Sequence, residues 1–397
     1  MRRSQIASVS VLLALGVVFT SLVGGCTSTA GKGQTAATIE SQQAVLTGSD
    51  VVESDMFGTS VAVSGTTAVV GTSGTSYAGR AYVFSESASG WKQAAELKGS
   101  DTTAEDAFGT SVAVAGTTIV VGAYEHDGYA GRAYVFTDTA GVWKQTAELK
   151  GSDTVADDSF GWSVAISGAT IVVGAVGHSD YAGRAYVFTK TPTGWTQAAE
   201  LKASDSKAKQ GFGTSTAISG TTIVVGAEGA GKTGAAYVFS KSLLGWTEVA
   251  TLKGSDVVGG DNFGSSVGLS GTTAVVGAYG RANSAGRAYV FTDTAGTWKQ
   301  LAELKGSDTI AGDYFGIAAA ISGTTVVVGA YETAKQAGRA YVFKKKASGW
   351  KETDELKGSN TVKGDFLGVS AAISGTTVVI GAYGHGAHAG RAYVFDA

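Results

Sequence analysis

A Phe-Gly pair recurs at Phe57, Phe108, Phe160, Phe212, Phe263 and Phe315, and a seventh copy reads Leu-Gly at Leu367, in steps of 51, 52, 52, 51, 52 and 52 residues. A fixed step of this size marks one supersecondary unit that buries its apolar surface only against copies of itself. The chain must therefore set seven similar units side by side. In the second copy, residues 108–114, 118–123, 131–136 and 143–149 are each rich in β-branched or aromatic residues and are bounded by Gly, Thr, Asp or Ser. That pattern reads as four short strands. No segment sustains a 3.6-residue period with caps, so helices are essentially absent. The first two runs are small or apolar on both sides, as in strands covered on both faces.

Four antiparallel strands repeated seven times predict an all-β fold, a seven-bladed β-propeller, in which radial repetition hides most sheet edges. The seventh copy stops at Phe395-Asp396-Ala397, without its fourth strand. The missing piece lies at the other end, where residues 41–48 match residues 92–99. The N-terminal strand is thus expected to complete the last blade and close the ring, whereas a linear solenoid would need polar caps. The propeller is expected over residues 39–397.

Phe57-Gly58-Thr59-Ser60-Val61-Ala62 and its copies, each followed by a Val-Val-Gly-Ala-like run, resemble the FG-GAP repeat, the blade motif of the integrin α-subunit head and of many bacterial surface proteins. The resemblance spans about residues 38–397. It implies a propeller that recognises partners through loops on one face. Two positions depart from the family pattern. The proline after Gly-Ala is replaced by Tyr124, Val176, Glu228, Tyr279, Tyr331 or Tyr383. The calcium loop between the first two strands is reduced to Ser64-Gly65-Thr66-Thr67 and its equivalents, with no carboxylate. Calcium takes six to eight oxygen ligands, usually including Asp or Glu, so neither metal nor cofactor is expected.

Residues 1–25 read as a secretory signal: Arg2 and Arg3 precede an apolar stretch over residues 6–23 that is followed by Gly24-Gly25. Leu22-Val23-Gly24-Gly25-Cys26 resembles a bacterial lipobox, which makes Cys26, the single cysteine, the expected lipidation site. Residues 26–38 then form the lipidated N-terminus and a Thr/Gly/Ala/Ser-rich tether that reaches roughly 40 Å when extended. The expected location is extracytoplasmic, anchored to a bacterial membrane or cell surface. Without Arg2 and Arg3 the chain holds 28 basic and 33 acidic residues, a net charge of −5. No basic stripe points to nucleic acid.

Gly226-Ala227-Glu228-Gly229-Ala230-Gly231-Lys232-Thr233 matches the phosphate-loop pattern, but Ala235-Ala236-Tyr237-Val238-Phe239 follows it as a strand, and the mechanism requires a helix there. All four histidines fall in the connection between the second and third strands, where the copies differ most. Loops on a rigid scaffold are where recognition usually sits. The candidate ligand-binding residues are therefore Tyr124, His126, Tyr129, His178, Tyr181, Tyr279, Arg281, Tyr331, Tyr383, His385 and His388. Their expected partner is a protein or glycan.

Two acids recur before each Phe-Gly. Asp50 and its equivalents are expected to cap turn backbones. Asp55 and its equivalents are expected to pair with the arginine opening the third strand (Arg80 in the first copy), because blade 4 loses both, as Gln210 and Ala235. A scaffold in an envelope complex is the alternative function. An enzyme acting on polysaccharide, a lyase or hydrolase, is a further one, and it would draw on Glu125, Asp127 and Asp180 as its non-repeated candidates.

Overall fold

The computed structural model describes residues 42–74 and 78–397. The expected signal segment, Cys26 and the tether lie outside the described residues. Seven antiparallel sheets of four strands each follow one another as the blades of a propeller. Blade 2 shows the pattern, with strands Phe108–Ala115, Thr118–Ala123, Arg132–Thr139 and Val142–Leu149 paired in sequence order.

Blade 7 is assembled from both ends of the chain. Its first three strands are Ala371–Ser374, Thr377–Ala382 and Arg391–Asp396, and its fourth is Gln42–Leu46. Gln42 pairs with Phe395, Val45 with Tyr393 and Leu46 with Ala392. A one-residue bulge falls between Gln42 and Ala44, at the place where the outer strand of blade 1 bulges opposite Val83 and Phe84. The borrowed strand reproduces its counterparts down to this irregularity, as the expected closure requires.

The core lies between blades rather than inside them. Val69, Ala81, Val83 and Leu97 of blade 1 form one cluster with Phe108, Ile119, Val121, Tyr134 and Phe136 of blade 2. Alternate residues of the same second strand, Ala68 and Val70, turn the other way and meet Val379, Ala392 and Val394 of blade 7 together with Leu46. A strand buried on both faces has no polar side to show, which accounts for the runs of Val, Ile and Ala. Phe108 anchors this interface, its ring 5.5 Å from Tyr134 and 6.1 Å from Phe136 at tilted and edge-on angles.

The two glycines of the motif meet across that interface. Gly161, in blade 3, has φ +94° and a Cβ there would lie 2.2 Å from the Arg132 carbonyl oxygen of blade 2. A Cβ on Gly122 would fall 2.0 Å from the Gly161 carbonyl oxygen. Ser111 Oγ donates to that same carbonyl at 2.7 Å, and Ser370 donates to Gly58 across the closing seam at 2.7 Å. Phe-Gly and Gly-Ala are therefore two halves of one backbone-to-backbone contact.

Candidate binding face

The second strand ends, and the first and third begin, at the same end of every blade, so the loops there form one face. In blades 2 to 7 the loop between the second and third strands contains a turn of unusual hand. Asp127, Gly128 and Tyr129 have φ of 54°, 65° and 65°, and Ser179, Asp180 and Tyr181 repeat the pattern at 53°, 57° and 60°. Left-handed non-glycine residues cost about 1–2 kcal/mol each. The offset comes from the next blade: the N–H groups of Asp157, Ser159 and Phe160 donate to the carbonyls of Gly128, Tyr129 and Ala130 at 3.2, 2.6 and 3.2 Å. At the seam, Met56 and Phe57 donate to His388 and Ala389 at 2.7 and 2.9 Å. The loop backbone is a latch between blades. Sequence variation falls on the side chains it presents and, in blade 4, on a turn one residue shorter.

Those side chains divide into two sets. His126, His178 and His385 point inward, with Nδ1 2.9, 2.8 and 2.7 Å from Oδ2 of Asp106, Asp158 and Asp365. In blade 5, Arg281 fills the same place, its Nη2 2.6 Å from Asp256 and its Nε 3.5 Å from Asp261. These four candidates thus hold the lead-in loop of their own blade. Where neither histidine nor arginine stands there, the acid's surroundings change. In blade 6 Thr333 stands there, and burial raises the Asp313 carboxyl above its ordinary pKa. In blade 4 the position is Ala230, and the acid itself has become Gln210.

The expected Asp–Arg pairing is corrected by this arrangement. Arg80 Nε bonds Glu96 at 2.7 Å, and Arg132, Arg184, Arg287 and Arg339 bond the corresponding Glu148, Glu200, Glu303 and Glu355 of the fourth strand. In blade 4 that glutamate is Thr251, so the joint loss seen in the sequence is of Arg and Glu. The two aspartates also exchange their expected duties. Asp106 and its equivalents cap the turn, accepting the N–H three residues earlier (Thr103, 2.6 Å). Asp101 instead accepts the hydroxyl of Tyr134 at 2.8 Å, which together with burial raises that phenol's pKa far above its ordinary value.

The tyrosines point elsewhere. Tyr279, Tyr331 and Tyr383 join Tyr314 and Phe366, the residues immediately before the sixth and seventh motifs, in one run of rings. Centroid distances are 5.8 Å for Tyr279–Tyr314, 5.4 Å for Tyr314–Tyr331, 6.0 Å for Tyr331–Phe366 and 5.1 Å for Phe366–Tyr383, and His388 closes the run 5.9 Å from Tyr383. This arc crosses blades 5, 6 and 7. At its start, Tyr279 is bonded to Asn262 and Glu228. A smaller group, Tyr124 against Trp162 at 4.9 Å and Tyr129 at 6.3 Å, spans blades 2 and 3. Tyr129 and Tyr181 are 45% and 40% exposed and face solvent. Elsewhere the equivalent positions hold Ser73, Met56, Ala107, Val176 and Gly211. The continuous run of rings is therefore confined to blades 5, 6 and 7, with Tyr279 and Tyr383 buried (8% and 7% exposed) and His388 exposed.

Tyr314, Phe366 and Trp162 were not among the sequence candidates, although the residues flanking Phe-Gly, before it at Tyr314 and Phe366 and after it at Trp162, vary from copy to copy as the loops do. The two histidines of the His385/His388 pair have different surroundings, one on Asp365 and one on Tyr383. Among the acids, Asp127 is exposed and lies 3.4 Å from Arg132, Glu125 bonds Tyr129, and Asp180 belongs to the turn of blade 3. The phosphate-loop match is a single turn, Ala230–Lys232, followed by the strand Ala235–Ser242.

The FG-GAP repeat family matches this chain seven times, over residues 41–84, 91–136, 143–188, 195–239, 246–291, 298–343 and 350–395. No curated protein matches it in sequence. Among solved structures, the crystal structure of Saccharomyces cerevisiae Sqt1 is similar in fold, with a TM-score of 0.51 and 11% identity over 90% of this chain and 99% of that one.

Proposed function

Because the chain belongs to the FG-GAP repeat family, we propose that it is a binding module, held outside the cytoplasm by lipid on Cys26, that recognises a protein or glycan through the loop face. The observation that carries this reading is the aromatic arc from Tyr279 to His388. Structural repetition gives no reason for five successive aromatic rings on one side of the ring only. Aromatic side chains offer large contact area at low entropic cost, and they cluster at recognition surfaces. The neighbouring Glu228, Asn262 and Glu332 supply polar groups that orient a partner. The reading assigns no catalytic step.

The test is capture of partners from detergent-solubilised membranes, and from a glycan array, by the mature chain and by Tyr314→Ala/Phe366→Ser. Blades 2 and 3 carry Ala107 and Ser159 at those positions, so the repeat accommodates both residues. Capture lost in the variant supports the proposal, and equal capture contradicts it. Mass spectrometry showing an unmodified Cys26 thiol would remove the anchoring part alone.

A further inference from the structure

A second feature of the ring is electrostatic and lies at the boundary of blades 6 and 7. There a cavity of about 600 Å³ opens between the loop of blade 6, the lead-in loop of blade 7 and the N-terminal strand. Its polar lining is Arg339, Lys357 and Lys363, with Gln42, Ser359 and Thr361. Among the described residues no carboxylate lines it.

Three substitutions here run in the same electrical direction, and the first two occur at no other boundary. Asn360 stands where Asp50, Asp101, Asp153, Asp205, Asp256 and Asp308 stand in the other copies. Lys363 replaces Glu53, Ala104, Ala156, Ala208, Gly259 or Ala311. Val45 takes the place of the fourth-strand glutamate, pairing with Tyr393 as Glu96 pairs with Tyr82. Arg391 therefore has no carboxylate partner among the described residues, whereas Arg80 has both Asp50 and Glu96. The consequence is visible on the tyrosine between them. Tyr393 donates to neutral Asn360, and burial raises its pKa to about 12, without the carboxylate hydrogen bond that lifts Tyr82 further.

We propose that this crevice binds a carboxylated sugar, of the uronic acid type. Lys357 and Lys363 offer ammonium groups that have no carboxylate partner among the described residues, and Arg339 is fixed at the wall by Glu355 and the Gly338 carbonyl. A bare oxyanion needs only those cations. The amide and hydroxyls of Gln42, Ser359 and Thr361, beside the methyls of Ala334 and Ala337, suit a polyhydroxylated ring with apolar C–H faces, and the volume falls within the ordinary range for small-ligand sites. Gln42 is already oriented by its bond to the Ser359 N–H. The crevice stands independently of the aromatic arc.

The test is a calorimetric titration of the mature chain with glucuronate, glucose and inorganic phosphate at about 50 mM salt, where screening is weak. Asn360→Asp/Lys363→Ala restores what other blades carry, so loss of fold does not confound it. Saturable glucuronate binding is expected, weakened roughly tenfold or more in the variant, the scale of one charge-assisted hydrogen bond. Glucose is expected not to saturate. Equal binding by wild type and variant, or by glucose and glucuronate, overturns the site. Phosphate binding as tight as glucuronate overturns the sugar assignment in favour of a bare oxyanion. Partner capture through the arc is expected to survive in this variant, so the two proposals fail separately.

Discussion

The carboxamide oxygen of Gln42 accepts the backbone N–H of Ser359 at 2.8 Å, joining residues 317 positions apart in the sequence. Gln93 makes the same bond to Ser49, Gln145 to Ser100 and Gln197 to Ser152. The N-terminal strand is a full seventh outer strand, with its own lead-in loop to clasp and its own leucine, Leu46, buried at the seam. Replacing Leu46 by alanine is expected to cost about 2–5 kcal/mol, the usual range for a buried leucine. Deleting residues 42–46 is expected to cost more, since it also exposes the edge of the strand Arg391–Asp396. Urea denaturation checks both, and an unchanged midpoint in the deletion contradicts the closed ring.

Not every glycine of the repeat is equally needed. Gly161→Ala forces a Cβ to 2.2 Å from the Arg132 carbonyl oxygen at φ +94°, so two blades must separate. Gly116 has φ +55° with nothing within 4 Å of a new Cβ. Gly116→Ala is expected to cost about 1–2 kcal/mol, the left-handed penalty alone. Gly161→Ala is expected to exceed that clearly. Thermal or chemical denaturation giving equal losses would contradict the account of the motif as a backbone contact.

Glu228 titrates against its surroundings. Burial raises its pKa, and bonds from Asn262 and Tyr279 only partly oppose the rise. A raised carboxyl binds its proton more tightly when folded, so wild-type stability falls as pH rises from the unfolded value through the folded one. Glu228→Gln keeps the bonds without the charge. It is expected to be more stable than wild type at neutral pH, with the difference shrinking as pH falls into the ordinary carboxylate range. Denaturation curves across that range test the sign, and a variant less stable at pH 7 reverses it.

Blade 4 offers a repair. Ala235 and Thr251 occupy the places of the arginine and glutamate that pair in blades 1, 2, 3, 5 and 6. Ala235→Arg with Thr251→Glu is expected to restore the pair with a coupling of about 0.2–1 kcal/mol, the usual worth of a partly exposed ion pair. A double-mutant cycle measures it, and zero or negative coupling contradicts the assignment of partners.

The architecture was legible because repetition is a pattern of residues along the chain. Phe57 through Leu367 set the blade count, and the match of residues 41–48 to 92–99 exposed the closure. Side-chain partnership was less legible. Arg80 and Glu96 lie 16 positions apart on neighbouring strands, and blade 4 loses Asp, Arg and Glu together, so sequence alone favoured the wrong acid. The direction of a loop side chain was not legible either. His178 and Tyr181 sit three residues apart in one loop, yet one is buried on Asp158 and the other faces solvent, because left-handed turns redirect successive side chains in a way no strand or helix period foretells. The arc escaped notice for a related reason: its five rings from Tyr279 to Tyr383 come from two positions of the repeat, before Phe-Gly and after Gly-Ala, that meet only once neighbouring blades are packed.

The central claim is that the arc from Tyr279 to His388 is the surface a partner covers, and hydroxyl-radical footprinting of the partner-bound chain reads this most directly. The account predicts protection at Tyr331, Phe366 and His388, with the hairpins on the opposite face, such as Gly116-Thr117 and Gly168-Ala169, reacting as in the free protein. Protection confined to those hairpins, with the three aromatic positions unchanged, would contradict it.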